Sequence, residues 1–220
     1  MNPSASSVPS VPADPAIQSV VLASASPRRR EILQNLGLRF EVLAADVDET
    51  CAERDPARLC EVLAARKGEA VRTRLAAEGR DLSKTLVIAS DTVVAVPDGE
   101  GDAATAAVLG KPRDAADARR MLALLSGRTH RVVSGIWIAL GGASAVSHDV
   151  TEVIFDRLTA GQIDRYVASG EPFGKAGAYA IQGHAAPFIA AIRGDYFNVV
   201  GLPVHRLATL CRETFGKELF

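Results

Sequence analysis

Residues Thr85 to Val96, TLVIASDTVVAV, decide how this 220-residue chain is read. Apolar and β-branched residues dominate the stretch, and Ser90-Asp91-Thr92 is its one strongly polar interruption, so it predicts an interior strand. A carboxylate inside such a strand leaves water for a low-dielectric site, and Asp91 therefore needs a metal, a cation or hydrogen-bond donors. The plainer alternative is a structural Asp capping a neighbouring loop, but a buried strand offers few reasons for an acid.

Working outward, strands and helices alternate. Gln18 to Ala23 predicts a short buried strand, and Ser24 to Leu36 a turn feeding a helix that Gly37 stops. Arg39 to Leu43 is extended and runs into the acidic loop Asp46 to Thr50. A helix is predicted over Pro56 to Glu78. After the central strand, Pro97 to Thr105 reads as a long hairpin-type loop before the chain resumes at Val108 to Pro112. A helix from Asp114 to Ser126 follows, then paired strands His130 to Leu140 and Ser144 to Phe155 around Gly141-Gly142. Thr159 to Ser169 predicts another helix, Glu171 to Val200 mainly loops and short strands, and Pro203 to Phe215 a closing helix. With no internal repeat, the expectation is a mixed α/β domain over residues 17 to 220 with two lobes. The Ser-, Pro- and Ala-rich residues 1 to 16 are expected to be a flexible extension.

Composition excludes several classes. Lys and Arg number 25 against 26 Asp and Glu, so no bulk field draws the protein to nucleic acid or an anionic membrane. Cys51, Cys60 and Cys211 form no C-x-x-C pair, which disfavours a disulfide framework or structural zinc and fits a reducing cytoplasm. No apolar run approaches a membrane span and no export signal is visible, so a cytoplasmic protein is expected. The phosphate-binding P-loop, the dinucleotide glycine motif, the H-E-x-x-H zinc motif and the serine hydrolase elbow are all missing. The four histidines, His130, His148, His184 and His205, show no ligand spacing.

The strand-to-helix turn Ser24-Ala25-Ser26-Pro27-Arg28-Arg29-Arg30 carries a second chemical signal. Ser26 suits an N-cap and Pro27 the first helical position. Arginines in the first turn oppose the helix dipole, which calls for something to offset them. A phosphate chain would do so, since free amides, Ser hydroxyls and guanidinium forks can converge on one polyanion; a solvated basic turn is the alternative. On the 56–78 helix, Lys67 falls within the apolar arc beside Leu63 and Val71, where it needs an anionic partner or must snorkel. Lys111, between Gly110 and Pro112, is ambiguous by pattern. Glu49, near Asp46 and Asp48, can join Asp91 around a divalent ion or belong to an exposed acidic loop.

Together these motifs resemble the Maf (septum formation inhibitor) family of nucleoside triphosphate pyrophosphatases. The match starts at LASASPRRREIL and runs in order through DVDET, LAARKGEAV, IASDTVV, LGKPRD, SGRTHRVVSGI and FGKAGAYAIQG to NVVGLP. The resemblance implies an inosine triphosphate pyrophosphatase-like fold, a mixed twisted sheet with flanking helices and two lobes around a central cleft. It implies cleavage of a nucleoside triphosphate between the α and β phosphorus atoms with a divalent metal, Mg²⁺ or Mn²⁺. On it Asp91 is the proton acceptor and Arg29, Glu49, Lys67 and Lys111 surround phosphates and metal; Glu49 and Asp91, the acids paired above, are the expected metal ligands. Ser24 and Arg28 share the signature, while Arg28, Thr92 and Gln182 match positions linked to the choice of base. The GKAGAYAIQG ending resembles the branch acting on dTTP and UTP rather than on 7-methyl-GTP, and relatives are often homodimers. The rival readings are a pyrophosphatase for other modified nucleotides and a nucleotide-sensing division regulator. Departures from the family pattern are the enlarged 97–105 loop, Gly68 after Lys67 where Ala is common, and Asp195 where Ser is common.

Overall fold

A computed structural model describes residues 14–97 and 107–220. The expected 97–105 loop therefore lies almost wholly outside the described residues, as does most of the N-terminal extension. Of the latter, Asp14 is tied to the other end of the chain. Its amide donates to the Glu218 carbonyl at 3.1 Å and its carboxylate meets Lys217 at 3.5 Å.

Seven strands form one sheet: β1 (Ser19–Leu22), β2 (Glu41–Val42), β3 (Thr85–Val96), β4 (Ala107–Leu109), β5 (Thr129–Leu140), β6 (Ala143–Phe155) and β7 (Ile189–Arg193). Their order is β2-β1-β3-β5-β6-β7, with β4 also paired to β3. β3 is the expected central strand over its whole predicted length. One of its edges is covered by β5. The other is shared, by β1 running parallel up to Leu22↔Ile88 and by β4 running antiparallel from Val94↔Leu109 onward. Asp91 and Thr92 sit in the interval between those two partners.

Side chains alternate along a strand, so the two faces of β3 have different neighbours. Val87 and Ala89 pack with Ala64, Val71 and Leu75 of α2 (Pro56–Ala77), and Val93 packs with Cys60 of the same helix. On the opposite face Leu86 and Ile88 join a core with α1 (Pro27–Asn35) and α6 (Val204–Phe215). Val94 and Val96 join a separate one with α3 (Ala115–Leu125) and α4 (Ala160–Ala168). These two cores are the expected lobes. Ser90 and Thr92 fall between them, facing α5 (Tyr196–Val200).

The helix α2 starts where the sequence places it, because Asp55 accepts the Arg58 amide at 2.8 Å and Pro56 occupies the first turn. It crosses the sheet at close range through two glycines. A Cβ on Gly135, the cross-strand neighbour of Asp91, would come within 2.3 Å of the Cys60 backbone. A Cβ on Gly68 would lie 2.0 Å from the Trp137 ring. The Gly68 departure from the family pattern is thus matched to the indole beneath it. Gly68→Ala is expected to destabilise the protein by about 1–3 kcal/mol through overpacking, measured by urea denaturation. An unchanged midpoint would show that the helix can lift off the ring at no cost.

The segment 171–200, expected to be mainly loops and short strands, also contains a short helix, since Tyr196–Val200 forms α5. Five residues are too few to display a helical period, but the caps are readable: Asp195 accepts the Phe197 amide at 2.7 Å and Gly201 closes the turn at φ 124°. Asp195 standing where Ser is common is explained by this, both being good N-caps.

None of the four histidines lines the cleft. His148 pairs with Glu61 at 2.7 Å on the surface, His184 and His205 are exposed, and His130 is fully buried. The His130 Nε2 lies 2.8 Å from the Tyr179 hydroxyl, and burial pushes the ring pKa down to about 3. In the unfolded chain the ring titrates at about 6.5. The folded value being the lower one, its contribution to stability is complete above that pH and is lost as pH falls toward 3. The unfolding free energy of the wild type, from urea denaturation, should decline from pH 7 to pH 5 by up to about 1.4 kcal/mol per pH unit, and His130→Phe should flatten the slope. A flat wild-type profile would exclude a neutral buried ring. Among the described residues no helix is long and apolar enough to cross a membrane.

Candidate active site

A cleft of about 330 Å³ opens where β1 and β4 part from β3. Ser24, Arg28 and Arg29 reach it from the β1–α1 turn and Glu49 from the loop after β2. Lys67 comes from α2, Asp91 and Thr92 from β3, Lys111 from the segment after β4, and Gln182 from the loop after α4. All nine residues selected from the sequence therefore line one cavity, although they come from segments spread over more than 150 positions.

On the α2 face, the Lys67 Nζ lies 2.5 Å from Asp91 Oδ1 and 2.7 Å from Glu49 Oε1. The partner that Lys67 required in its apolar arc is this pair of carboxylates, and the donor that Asp91 required is this ammonium. The Lys67 hydrogen bond holds the Glu49 carboxyl below its ordinary range against the opposing effect of burial. The Glu49 loop is itself fixed by Arg66, which donates to the carbonyls of Asp48 and Thr50.

On the other face, Arg29 spans the lobes. Its Nε donates to the Gly201 carbonyl at 2.8 Å, Nη1 to Ser24 Oγ at 3.0 Å and Nη2 to Thr92 Oγ1 at 2.9 Å. Arg28 Nε donates to the Val200 carbonyl at 3.3 Å. Part of the offset for these first-turn arginines thus comes from carbonyls at the C-terminal end of α5, where a helix favours cations, and not from a phosphate alone. Neither arginine has a carboxylate within ion-pairing distance among the described residues. Burial lowers the pKa of both below the ordinary guanidinium value, with Asp91 partly opposing this for Arg29. Such half-buried, uncompensated cations are the electrostatic half of an anion site. Ser26 occupies the N-cap of α1 but forms no side-chain cap; its own amide donates to Ser24 Oγ at 3.3 Å. The first-turn amides are consequently left without a capping oxygen.

Sequence reasoning gave no role to the groups behind Thr92. The hydroxyls of Thr92 and Ser134 lie 2.9 Å apart, and Ser134 donates to the Asn198 carbonyl at 3.2 Å. Fully buried Asn198 donates from Nδ2 to the Val132 carbonyl and to Thr151 Oγ1, both at 3.0 Å. This chain anchors α5, whose terminal carbonyls receive the arginines. The readable signal was an Asn inside the apolar run YFNVVGLP.

Four cationic side chains, Arg28, Arg29, Lys67 and Lys111, face two carboxylates, Glu49 and Asp91, so the cleft is net positive by two charges. The two carboxylates converge on one cation, the Lys67 ammonium, which is the donor arrangement a divalent ion shared with a phosphate ligand needs. No third His, Cys, Asp or Glu completes a metal cluster among the described residues, so phosphate and water would have to supply the other ligands.

Comparison with known proteins finds similar sequences over most of the chain. The dTTP/UTP pyrophosphatase of Symbiobacterium thermophilum is 46% identical over 205 residues, covering 93% of this chain and 97% of its own. That of Moorella thermoacetica is 48% identical over 207 residues, covering 93% and 98%. Among solved structures, the Staphylococcus aureus Ham1 protein aligns with a TM-score of 0.41 and 19% identity over 63% of this chain and 72% of its own. The model of the Maf-like protein family matches residues 19–214, from the first strand to the end of the last helix, and this chain belongs to that family.

Proposed function

We propose that the protein hydrolyses dTTP and UTP between the α and β phosphorus atoms, giving the nucleoside monophosphate and pyrophosphate. The observation that carries this reading is the single cleft in which uncompensated Arg28 and Arg29 face the Asp91–Lys67–Glu49 cluster. The names of the relatives supply the choice of bases, and the Gln182 amide, with both a donor and an acceptor, can match the O4 and N3–H edge of uracil or thymine.

Arg28, Arg29 and Lys111 bind the triphosphate and neutralise it, with the uncapped first turn of α1 adding amide donors. Asp91 accepts the proton of the attacking water; with Oδ1 engaged by Lys67, Oδ2 is the oxygen assigned to it. Lys67 keeps the two carboxylates in register, and the lobe walls hold the nucleotide in line for attack. Mg²⁺ or Mn²⁺ held by Glu49 and Asp91 would supply neutralisation of the departing pyrophosphate. Unpaired Cys51, Cys60 and Cys211 support a cytoplasmic setting.

The test is a panel of dTTP, UTP, CTP, ITP and 7-methyl-GTP at equal concentration with Mg²⁺ or Mn²⁺, measuring pyrophosphate and orthophosphate separately. Pyrophosphate release, fastest from dTTP and UTP, is expected. Orthophosphate alone would overturn the cleavage position, and tight binding without turnover would favour a nucleotide sensor.

A further inference from the structure

Gln182 is exposed in the cleft on a tight turn, the Ala180 carbonyl accepting the Gly183 amide at 3.1 Å. An amide on a free turn would sample many directions and discriminate poorly between bases. This turn is held at both ends by two residues that do not line the cleft. At its start, the Ala180 amide donates to the Tyr166 hydroxyl at 3.2 Å, and that hydroxyl donates in turn to Glu171 Oε1 at 2.9 Å. Just past its end, Glu171 Oε2 accepts the His184 amide at 3.0 Å. The carboxylate also lies against Gly183, where a Cβ would come within 2.3 Å of it, so the turn can seat only because residue 183 has no side chain.

The clamp is itself well fixed. Tyr166 is 4% exposed on α4, with its ring edge-on to Phe188 at a centroid distance of 5.3 Å. Ser169 Oγ accepts the Glu171 amide at 3.2 Å, and Lys175 donates to the Glu171 carbonyl at 2.5 Å. One hydroxyl and one carboxylate therefore connect α4 to both flanks of Gln182. A partly buried charge-assisted network of this kind fixes geometry more than it adds net stability.

We propose that Tyr166 and Glu171 are positioning residues for base selectivity, acting by holding the Ala180–Gly183 turn so that Gln182 presents its amide to the pyrimidine. This rests on the reading of Gln182 as the group that faces the base. Of the phosphate-binding cations, Arg28 lies within electrostatic reach of Tyr166; an effect passed through it would fall on both nucleotides alike, so the action of the clamp on recognition of the base is read as a change in the ratio between them.

The experiment compares kcat and KM for UTP and CTP in the wild type, Gln182→Ala, Tyr166→Phe, Glu171→Gln and the Gln182→Ala/Tyr166→Phe double variant. Thermal unfolding confirms that each is folded. Tyr166→Phe keeps the ring packing and removes both hydroxyl bonds; it should lower kcat/KM for UTP about tenfold, mainly through KM, with under a twofold change for CTP. Glu171→Gln, which keeps one acceptor oxygen, should shift the ratio less in the same direction. The double variant should have the selectivity of Gln182→Ala alone, because the clamp has nothing left to aim. Equal losses for both nucleotides, or additive losses in the double variant, would assign Tyr166 a merely structural role and overturn the proposal; so would an unchanged ratio in both clamp variants while Gln182→Ala shifts it. An unchanged ratio in Gln182→Ala would instead overturn the reading of Gln182 as the base-facing group, and the proposal with it. If Tyr166→Phe fails to fold, the Glu171→Gln ratio decides.

Discussion

Asp91→Asn is expected to lower turnover of dTTP and UTP about a thousandfold, within the range that a positioned general base contributes. The substitution keeps side-chain shape and can still accept the Lys67 hydrogen bond at 2.5 Å, so thermal unfolding should change little. What it removes is the negative charge and the basic oxygen at the mouth of the β1–β4 split. KM should move far less than kcat, because Arg28, Arg29 and Lys111 still receive the triphosphate. Steady-state kinetics alongside a melting curve checks this, and a folded variant with near-normal kcat would refute the assignment of Asp91.

Lys67→Met carries the second large effect, a loss of about a hundredfold to a thousandfold in kcat, as for removal of one preorganised donor. Met fills the same apolar arc of α2 but leaves Glu49 and Asp91 facing each other without the intervening ammonium. The Glu49 carboxyl, held low chiefly by the Lys67 hydrogen bond, then rises toward its ordinary range. The acidic limb of the pH–rate profile should accordingly move to higher pH, with activity lost at a pH where the wild type still works. Glu49 is half exposed, so the accompanying loss of stability should be modest. A variant with an unchanged profile would mean that Lys67 is a packing residue that snorkels into the cleft.

The parts of this fold that were legible in the sequence are those whose signals are local. β3 is bounded as expected because twelve residues of β-branched and apolar character leave no other reading. α2 starts at Pro56 because Asp55 caps it. The same holds for the β5–β6 hairpin around Gly141-Gly142, where Gly141 takes the left-handed conformation at φ 62°. The site residues were legible as individually uncomfortable groups: an acid in a buried strand, a lysine in an apolar arc, arginines at the wrong end of a helix. The residues themselves suggested only parts of their meeting, Glu49 with Asp91 and the serines with the arginines; the full set in one cleft came from the family resemblance, since strand order is not a local property. What escaped was α5 and its anchor. Val200 and Gly201 act through backbone carbonyls, which carry no residue signature, and Asn198 works from behind Ser134 without touching the cleft. The Gly68–Trp137 contact was equally hidden, because each residue is ordinary until α2 is laid across β5.

The division of one β3 edge between two partners has a consequence for how this protein can change. Neighbouring positions 91 and 92 serve opposite sides of the sheet, the acid toward the lysine and the hydroxyl toward the arginine. Gain or loss of one amino acid between Ile88 and Asp91 would exchange those two outlooks at a stroke. Descendants of such a chain can therefore vary in loops that carry no cleft residue, whereas the spacing within this short interval is a parity that a single insertion or deletion would break.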